Sequence, residues 1–262
     1  PIGVSRSSDL KGDVSDLDTV GHFIKTLKPA YIFHMAANST TKYEALFENH
    51  EAISTGTLNI LHSVKEYSPE AKVFITGSGV QFQNTGQPIS ESTPFEAANP
   101  YAIARIQSVY AARYYRTQGI KVYVGYLFHH ESPLRKQNHV SQIIAQSVKR
   151  IQDGSREKIE LGDVTAQKEW TFAGDTVQGI WTLMQQQQIF EAVIGSGETF
   201  TIQQWVEQCF GIINKDWRDY IQIKNNFVPE YKCLVSNPRL IKSLGWSPKI
   251  TFNELAQTMV NY

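Results

Sequence analysis

The sequence predicts an α/β protein: a doubly wound parallel sheet with a smaller C-terminal domain interleaved with it. Three observations predict this. Short apolar runs rich in β-branched and aromatic residues (Ala30–Met35, Lys72–Thr76 and Lys121–Phe128) lack polar alternation, as strands buried on both faces do. Longer stretches with apolar residues at helical spacing separate them: Leu17–Leu27, Tyr43–Tyr67 and Pro100–Gln118, the alternation that builds a covered parallel sheet. Finally, 262 residues, 41% of them hydrophobic, can bury one large core or a domain with a cap.

Taken in order, Pro1-Ile2-Gly3-Val4-Ser5 reads as a strand already under way, without an initiator Met, so the sequence reads as part of a longer chain. Gly12-Asp13-Val14 and Asp16 then lead into the first helix. After Phe128 the alternation loosens. Val140–Gln152 is a helix stopped by Asp153-Gly154, Lys158–Leu161 a strand and Asp175–Gln186 a helix, with Asp175 as its cap. Thr201–Phe210 is a helix, Tyr220–Lys224 a strand, and Asn237–Leu244 a helix closed by Gly245; Phe252–Val260 ends the chain. The expected division is residues 1–128 for the sheet domain and 129–262 for the smaller one.

Twenty-five basic residues balance twenty-five acidic ones. Neutrality argues against a general affinity for nucleic acid or a membrane surface, so any anionic ligand needs a local cluster. No apolar run reaches spanning length and no signal peptide opens the chain, which makes a cytoplasmic location the default expectation. Cys209 and Cys233 have no metal or redox spacing and read as ordinary thiols.

A parallel sheet binds ligands at the carboxyl ends of its strands, and several residues there suit a dinucleotide. The usual glycine-rich fingerprint is absent from these residues. Arg6, in Val4-Ser5-Arg6-Ser7-Ser8, suits the 2′-phosphate of NADP, where NAD calls for an acidic residue. Asp13, beside Val14, suits the adenine amino group, although helix capping explains the same acidic turn. Met35-Ala36-Ala37-Asn38-Ser39 follows the next strand with side chains small enough for close approach of a flat ligand. In Asn99-Pro100-Tyr101-Ala102-Ile103-Ala104-Arg105, four-residue spacing puts Tyr101 and Arg105 on one helix face. A cation there stabilises a phenolate, suiting Tyr101 as proton carrier in hydride transfer; an exposed helix residue and a core aromatic are the plainer alternative.

These segments, in this order, resemble the extended short-chain dehydrogenase/reductases, the NAD-dependent epimerase/dehydratase superfamily. Leu127-Phe128-His129-His130-Glu131-Ser132-Pro133-Leu134-Arg135 is similar to the L-F-N-H-E-S-P-R-R segment of GDP-mannose 4,6-dehydratases, and Leu161–Trp170 to their L-G-N-L-D-A-K-R-D-W. Leu244-Gly245-Trp246-Ser247-Pro248 resembles the closing L-G-W-x-P of extended members. The resemblance implies a Rossmann-type sheet whose first strand and glycine loop precede Pro1, and a C-terminal substrate domain. It implies Ser78, Tyr101 and Arg105 as catalytic residues. Arg6, Asp13, Val14, Met35, Ala36, Ala37, Ser39, Tyr101, Arg105, His130 and Arg135 would line NADP, or NAD. His129, Glu131, Asn138 and Lys168 would meet a nucleotide sugar, a GDP-sugar foremost. No metal is implied; adjacent His129 and His130 on an extended strand point to opposite faces. A homodimer or tetramer through the Tyr101 helix is implied as well, with Tyr110, Tyr114 and Tyr115 either there or in the core.

The sequence departs from the family at functional positions. Arg105 replaces the lysine of Y-x-x-x-K, and a planar fork is not equivalent to an ammonium. Setting Phe82 on the aromatic of S-T-D-E-V-Y-G puts Ser78 on the catalytic hydroxyl and Gly79-Val80 on the acidic pair; a shifted alignment puts Gln81 there. Neither alignment leaves a carboxylate to cycle a proton in removing water between C5 and C6. His129 replaces Asn, Lys168 replaces Arg, and Val228 stands where an Arg meets the diphosphate. Two readings follow: an NAD(P)-dependent nucleotide-sugar enzyme with hydride chemistry at C4, or a weak or inactive homologue that binds dinucleotide or partners an enzyme.

Overall fold

The structure is a computed structural model describing residues 2–7 and 10–262; Pro1 and Ser8, both within expected segments, lie outside the described residues. In chain order the strands are β1 (Val4–Ser5), β2 (Leu10–Lys11), β3 (Tyr31–His34), β4 (Lys72–Ser78), β5 (Lys121–Leu127), β6 (His130–Glu131), β7 (Ile159–Leu161), β8 (Gln167–Lys168), β9 (Thr171–Phe172), β10 (Glu191–Ile194), β11 (Phe200–Thr201), β12 (Ile221–Ile223) and β13 (Cys233–Leu234). The α-helices are α1 (Leu17–Leu27), α2 (Leu46–Asn49), α3 (Gly56–Tyr67), α4 (Pro100–Thr117), α5 (Val140–Gln152), α6 (Ala173–Met184), α7 (Ile202–Ile212), α8 (Arg239–Ser243) and α9 (Phe252–Asn261). The chain divides into two compact units. One comprises residues 1–83, 91–127 and 180–192, the other 84–90, 128–179 and 193–262.

The first unit is built on a sheet ordered β10-β5-β4-β3. The pairs β3–β4 and β4–β5 are parallel. Residues 73–77 of β4 and 122–127 of β5 are buried without alternation, as strands covered on both faces must be. Helix α1 starts where Asp16 Oδ1 accepts from Asp18 N and Thr19 N, and it packs on α3. β1 and β2 form a separate parallel pair, so the expected first strand is only Val4–Ser5 long.

The expected single helix over Tyr43–Tyr67 is broken. It runs as a 3₁₀ turn at Tyr43–Ala45, then α2, a π-helix at His50–Thr55, and α3. α4 packs against the π segment, and buried hydroxyls bond its widened turn: Ser108 Oγ donates to Ile53 O at 3.1 Å, and Ser54 Oγ to Gln107 Oε1 at 2.7 Å. The strand β10 had no counterpart in the expected elements.

In the second unit α5, α7 and α9 pack together around a core containing Ile144, Val148, Trp170, Trp205, Phe210 and Met259. Trp170 and Trp205 stack with ring centroids 4.5 Å apart. Short sheets β11-β8-β13, β12-β7 and β6-β9 surround this core. Asp175 does not cap α6. Its Oδ2 accepts from Lys249 N and Ile250 N, each at 2.9 Å, because it lies in the first turn of a helix that begins at Ala173. Among the described residues no helix is long and apolar enough to cross a membrane.

One carboxylate organises the polar edge of the first unit. Glu191 accepts from Arg113, Arg116 and Tyr126 Oη. Burial opposes its ionisation, but those bonds outweigh burial and hold its pKa down at about 2, against an ordinary 4.5. A depressed carboxylate pKa adds stability above the unfolded value and loses it as pH falls toward the folded one. Glu191→Gln is therefore expected to cost about 3 kcal/mol at pH 7 and little near pH 2, as measured by urea unfolding across pH.

Candidate functional site

Two polar clusters hold most of the expected site residues, one in each unit. In the first unit, α4 opens with Asn99 as N-cap, its Oδ1 accepting from Ala102 N at 2.8 Å, and Pro100 in the first turn. This fixes Tyr101 at the helix start. Arg105, one turn on, is 2% exposed. Its guanidinium carbon lies 4.9 Å from the Tyr101 ring centroid, so the expected shared face is present. Arg105 Nη1 donates to Thr76 O at 2.5 Å, while Nε is buried without a hydrogen-bond partner.

Beside it, Thr76 Oγ1 donates to His34 O at 2.9 Å. His34 is pushed down to about 4 by burial and by the Arg105 charge, so it is neutral at pH 7. Ser78 ends β4 and caps the following turn: Gln81 Oε1 accepts from Ser78 N at 2.8 Å, and Ser78 Oγ accepts from Val80 N at 3.4 Å. α4 packs against that turn. Gln81 is fully buried, with Nε2 unpartnered, whereas Val80 is half-buried. Of the two positions aligned with the missing carboxylate, Val80 is thus the more open.

The other first-unit residues lie on loops. Arg6 Nε pairs with Asp13 Oδ2 at 3.0 Å, and Asp13 Oδ1 accepts from Ser15 N and Oγ. The backbone hydrogen bond from Ser15 leads the causes that hold Asp13 below the usual carboxylate range. Asn59 Nδ2 donates to Val14 O at 3.0 Å. Met35, Ala36 and Ser39 are exposed after β3, and Ala37 is half-buried.

In the second unit, β6 and β8 carry a cluster rich in cations and imidazoles. His130 Nδ1 lies 2.9 Å from Phe128 O; a carbonyl only accepts, so Nδ1 carries the proton. His129 Nε2 is 2.8 Å from Tyr231 Oη, and its Nδ1 is buried without a partner. Burial, then Lys168 and Arg135, holds His129 well below its ordinary value; burial likewise lowers His130 and Lys168. Lys168 Nζ sits 4.6 Å from the Trp170 ring centroid. Glu131 is 1% exposed and accepts from Ser141 Oγ at 2.8 Å, with Arg135 Nε at 3.5 Å. Asn138 is exposed. Val228 is 84% exposed and beside Phe227, whose ring covers Gly162 so closely that a Cβ there would lie 2.5 Å from it. Tyr231 and His139 carried no motif of their own in the sequence; Tyr231 lies three residues after Val228, and that proximity to an expected diphosphate position was a usable signal. Among the described residues no group of His, Cys, Asp or Glu could hold a metal ion.

The family model for GDP-mannose 4,6 dehydratase matches residues 5–259. The chain belongs to that family. GDP-mannose 4,6 dehydratase 1 of Arabidopsis thaliana is 32% identical over 260 residues, which span 95% of this chain and 72% of that protein. In fold, this family member is similar to RMD from Pseudomonas aeruginosa complexed with NADPH (TM-score 0.86, 20% identity, 96% of this chain and 86% of that one). It is also similar to dTDP-glucose 4,6-dehydratase from Bacillus anthracis in complex with NAD (TM-score 0.83, 21% identity, 96% and 78%). These likenesses show that the chain shares the fold of those two proteins.

The different burial of Val80 and Gln81 is testable. Gln81→Glu buries a second carboxylate oxygen where Nε2 has no partner, and is expected to cost about 1–3 kcal/mol. Val80→Glu is expected to stay within about 1 kcal/mol of the parent. Urea unfolding of the two variants checks the difference.

Proposed function

We propose that this chain binds a nicotinamide dinucleotide through its first unit and a nucleotide sugar, foremost a GDP-sugar, through its second. Hydride moves at sugar C4, and water is not removed between C5 and C6. The observation that carries the reading is the Tyr101–Arg105 pair, with a buried cation held over the phenol at the carboxyl end of β4. Family membership supports the substrate class, and relatives of the fold complexed with NADPH or NAD support the cofactor.

The first unit's residues fit a dinucleotide: a buried, unpartnered Arg105 Nε lies beside Thr76 near the end of β4, and small residues follow β3, with Ala36 exposed and Ala37 half-buried. Arg6, Asp13, Val14, Met35, Ala36, Ala37 and Ser39 would hold the adenosine end. Arg6 favours NADP over NAD by its charge. Arg105 would serve the nicotinamide end, and His130 and Arg135 are further proposed contacts of the cofactor. When bound, the cofactor accepts or returns hydride. Tyr101 carries the proton of the C4 hydroxyl, Arg105 supplies the charge that favours phenolate, and Ser78 orients the hydroxyl. His129, Glu131, Asn138 and Lys168 position the sugar nucleotide. At the turn after β4, Val80 offers no acid or base, and Gln81 Oε1 is committed to Ser78 N. A homodimer or tetramer through α4 belongs to the proposal; Tyr110 and Tyr114 are 58% and 60% exposed there.

A second reading, binding without turnover, is favoured by one observation: Arg105 spends Nη1 on Thr76 O instead of presenting a flexible ammonium. Incubation of the protein with NAD or NADP and a panel of GDP-, dTDP- and UDP-sugars separates the two. The first reading expects a change in nicotinamide absorbance and a C4-altered sugar, with Tyr101→Phe lowering kcat by about 10²–10⁴-fold. Nucleotide binding with no turnover in any mixture leaves the second. Val80→Glu is expected to add solvent deuterium exchange at C5, read by mass spectrometry, if the absent carboxylate is what blocks dehydration.

A further inference from the structure

Arg135 is held by a histidine that can accept from it only while neutral. Arg135 Nη2 lies 3.0 Å from His139 Nδ1. A guanidinium has no acceptor and does not deprotonate, so the nitrogen opposite it must present a lone pair. His139 is therefore the neutral tautomer with its proton on Nε2. At the other end of the guanidinium, Nε is 3.5 Å from Glu131 Oε2, within ion-pair range, yet buried without a hydrogen-bond partner. That carboxylate oxygen already accepts from Ser141 Oγ.

The charged and titratable groups facing His139 are Arg135 and Lys136 on its own loop, Glu131 on β6, Lys168 on β8, and His129 next to β6. Three of these are cations and one is an anion. Burial, then Arg135, holds His139 below its ordinary value, with Glu131 opposing. Protonating His139 as it stands would set an N–H against the guanidinium N–H and add a second positive charge beside it.

We infer that His139 is a positioning residue for Arg135, and that a phosphate-bearing ligand of this cluster binds with uptake of a proton at His139. An anion supplies the negative charge that Glu131 alone does not. Arg135 can then turn from Nδ1 to the ligand, and the freed nitrogen can be protonated. Ligand binding and protonation must favour each other by the same factor. The inference rests on the nucleotide-sugar reading of the second unit.

GDP-mannose and NAD suit the test because each has a diphosphate esterified at both ends, so ligand charge stays constant between about pH 5.5 and 8. Titration calorimetry on the whole protein, in buffers of different ionisation enthalpy, reads affinity and proton uptake together. The expected result is a gain in affinity of roughly threefold to tenfold from pH 7.5 to pH 6.0, with proton uptake. His139→Gln keeps an amide oxygen for Arg135 but cannot titrate, and should bind equally at both pH values. Affinity that is flat or falls on acidification in the parent, or a His139→Gln variant with the parent's pH dependence, overturns the inference and leaves the proposed function standing. Failure of both ligands to bind at any pH overturns both. A ligand-free readout tests the latch by itself: imidazole nitrogen NMR should show His139 as the Nε2–H tautomer, titrating at higher pH in Arg135→Leu. An Nδ1–H tautomer, or no movement in that variant, also overturns it.

Discussion

The parallel ladder between β4 and β5 is the constraint from which the first unit follows. Lys72 to Ser78 pair in register with Lys121 to Leu127, and the interiors of both strands are buried on both faces. Gly77 admits no side chain, because a Cβ would lie 2.6 Å from Tyr126 Cδ1. Side-chain period two then dictates which residues of Thr76-Gly77-Ser78 point to which face. With the ladder in place, Thr76 O meets Arg105, and Ser78 begins the turn against which α4 packs.

Buried charges in this protein divide into two kinds. Glu191 and Glu169 are surrounded by donors: two arginines and a phenol for the first, and Ser196 N and Ser236 N, each at 2.6 Å, for the second. Their contribution is architectural, since a carboxylate with its lone pairs filled ties several segments together. The site cations are supplied differently. Arg105 has a carbonyl where a carboxylate would neutralise it, and Arg135 and Lys168 share one Glu131. A buried cation short of acceptors is costly in isolation, and such positions are where anionic ligands repay the cost.

Much of the scaffold was legible in the sequence because its signals are local. α1 and α5 have the bounds their apolar spacing and stop signals predict: Leu17–Leu27, and Val140–Gln152 ending before Gly154 at φ 103. The strands β4 and β5 were legible from unbroken apolar runs. β10 was not, because four residues after a glutamine run have too short a pattern to read. Asp175 looked like a cap because its partners, Lys249 and Ile250, are more than seventy residues away. The site was legible in part for the same reason. Helical spacing gave Tyr101 beside Arg105, but the turn of Arg105 toward Thr76 and the pairing of His129 with Tyr231 depend on tertiary neighbours. Periodicity carries no information about those.

The π-helical stretch between α2 and α3 has a further consequence. An i→i+5 turn holds one residue more than an α-turn, so the residues before it are about 100° out of phase with those after it. Asn49, which donates to Thr40 O, and Ala45 are buried on the near side of that offset. Removing one residue between His50 and Thr55 would make the helix more regular and the protein less well packed, turning the buried side of α2 toward solvent. The length of this segment is thus a structural requirement in its own right, separate from the identity of any residue in it.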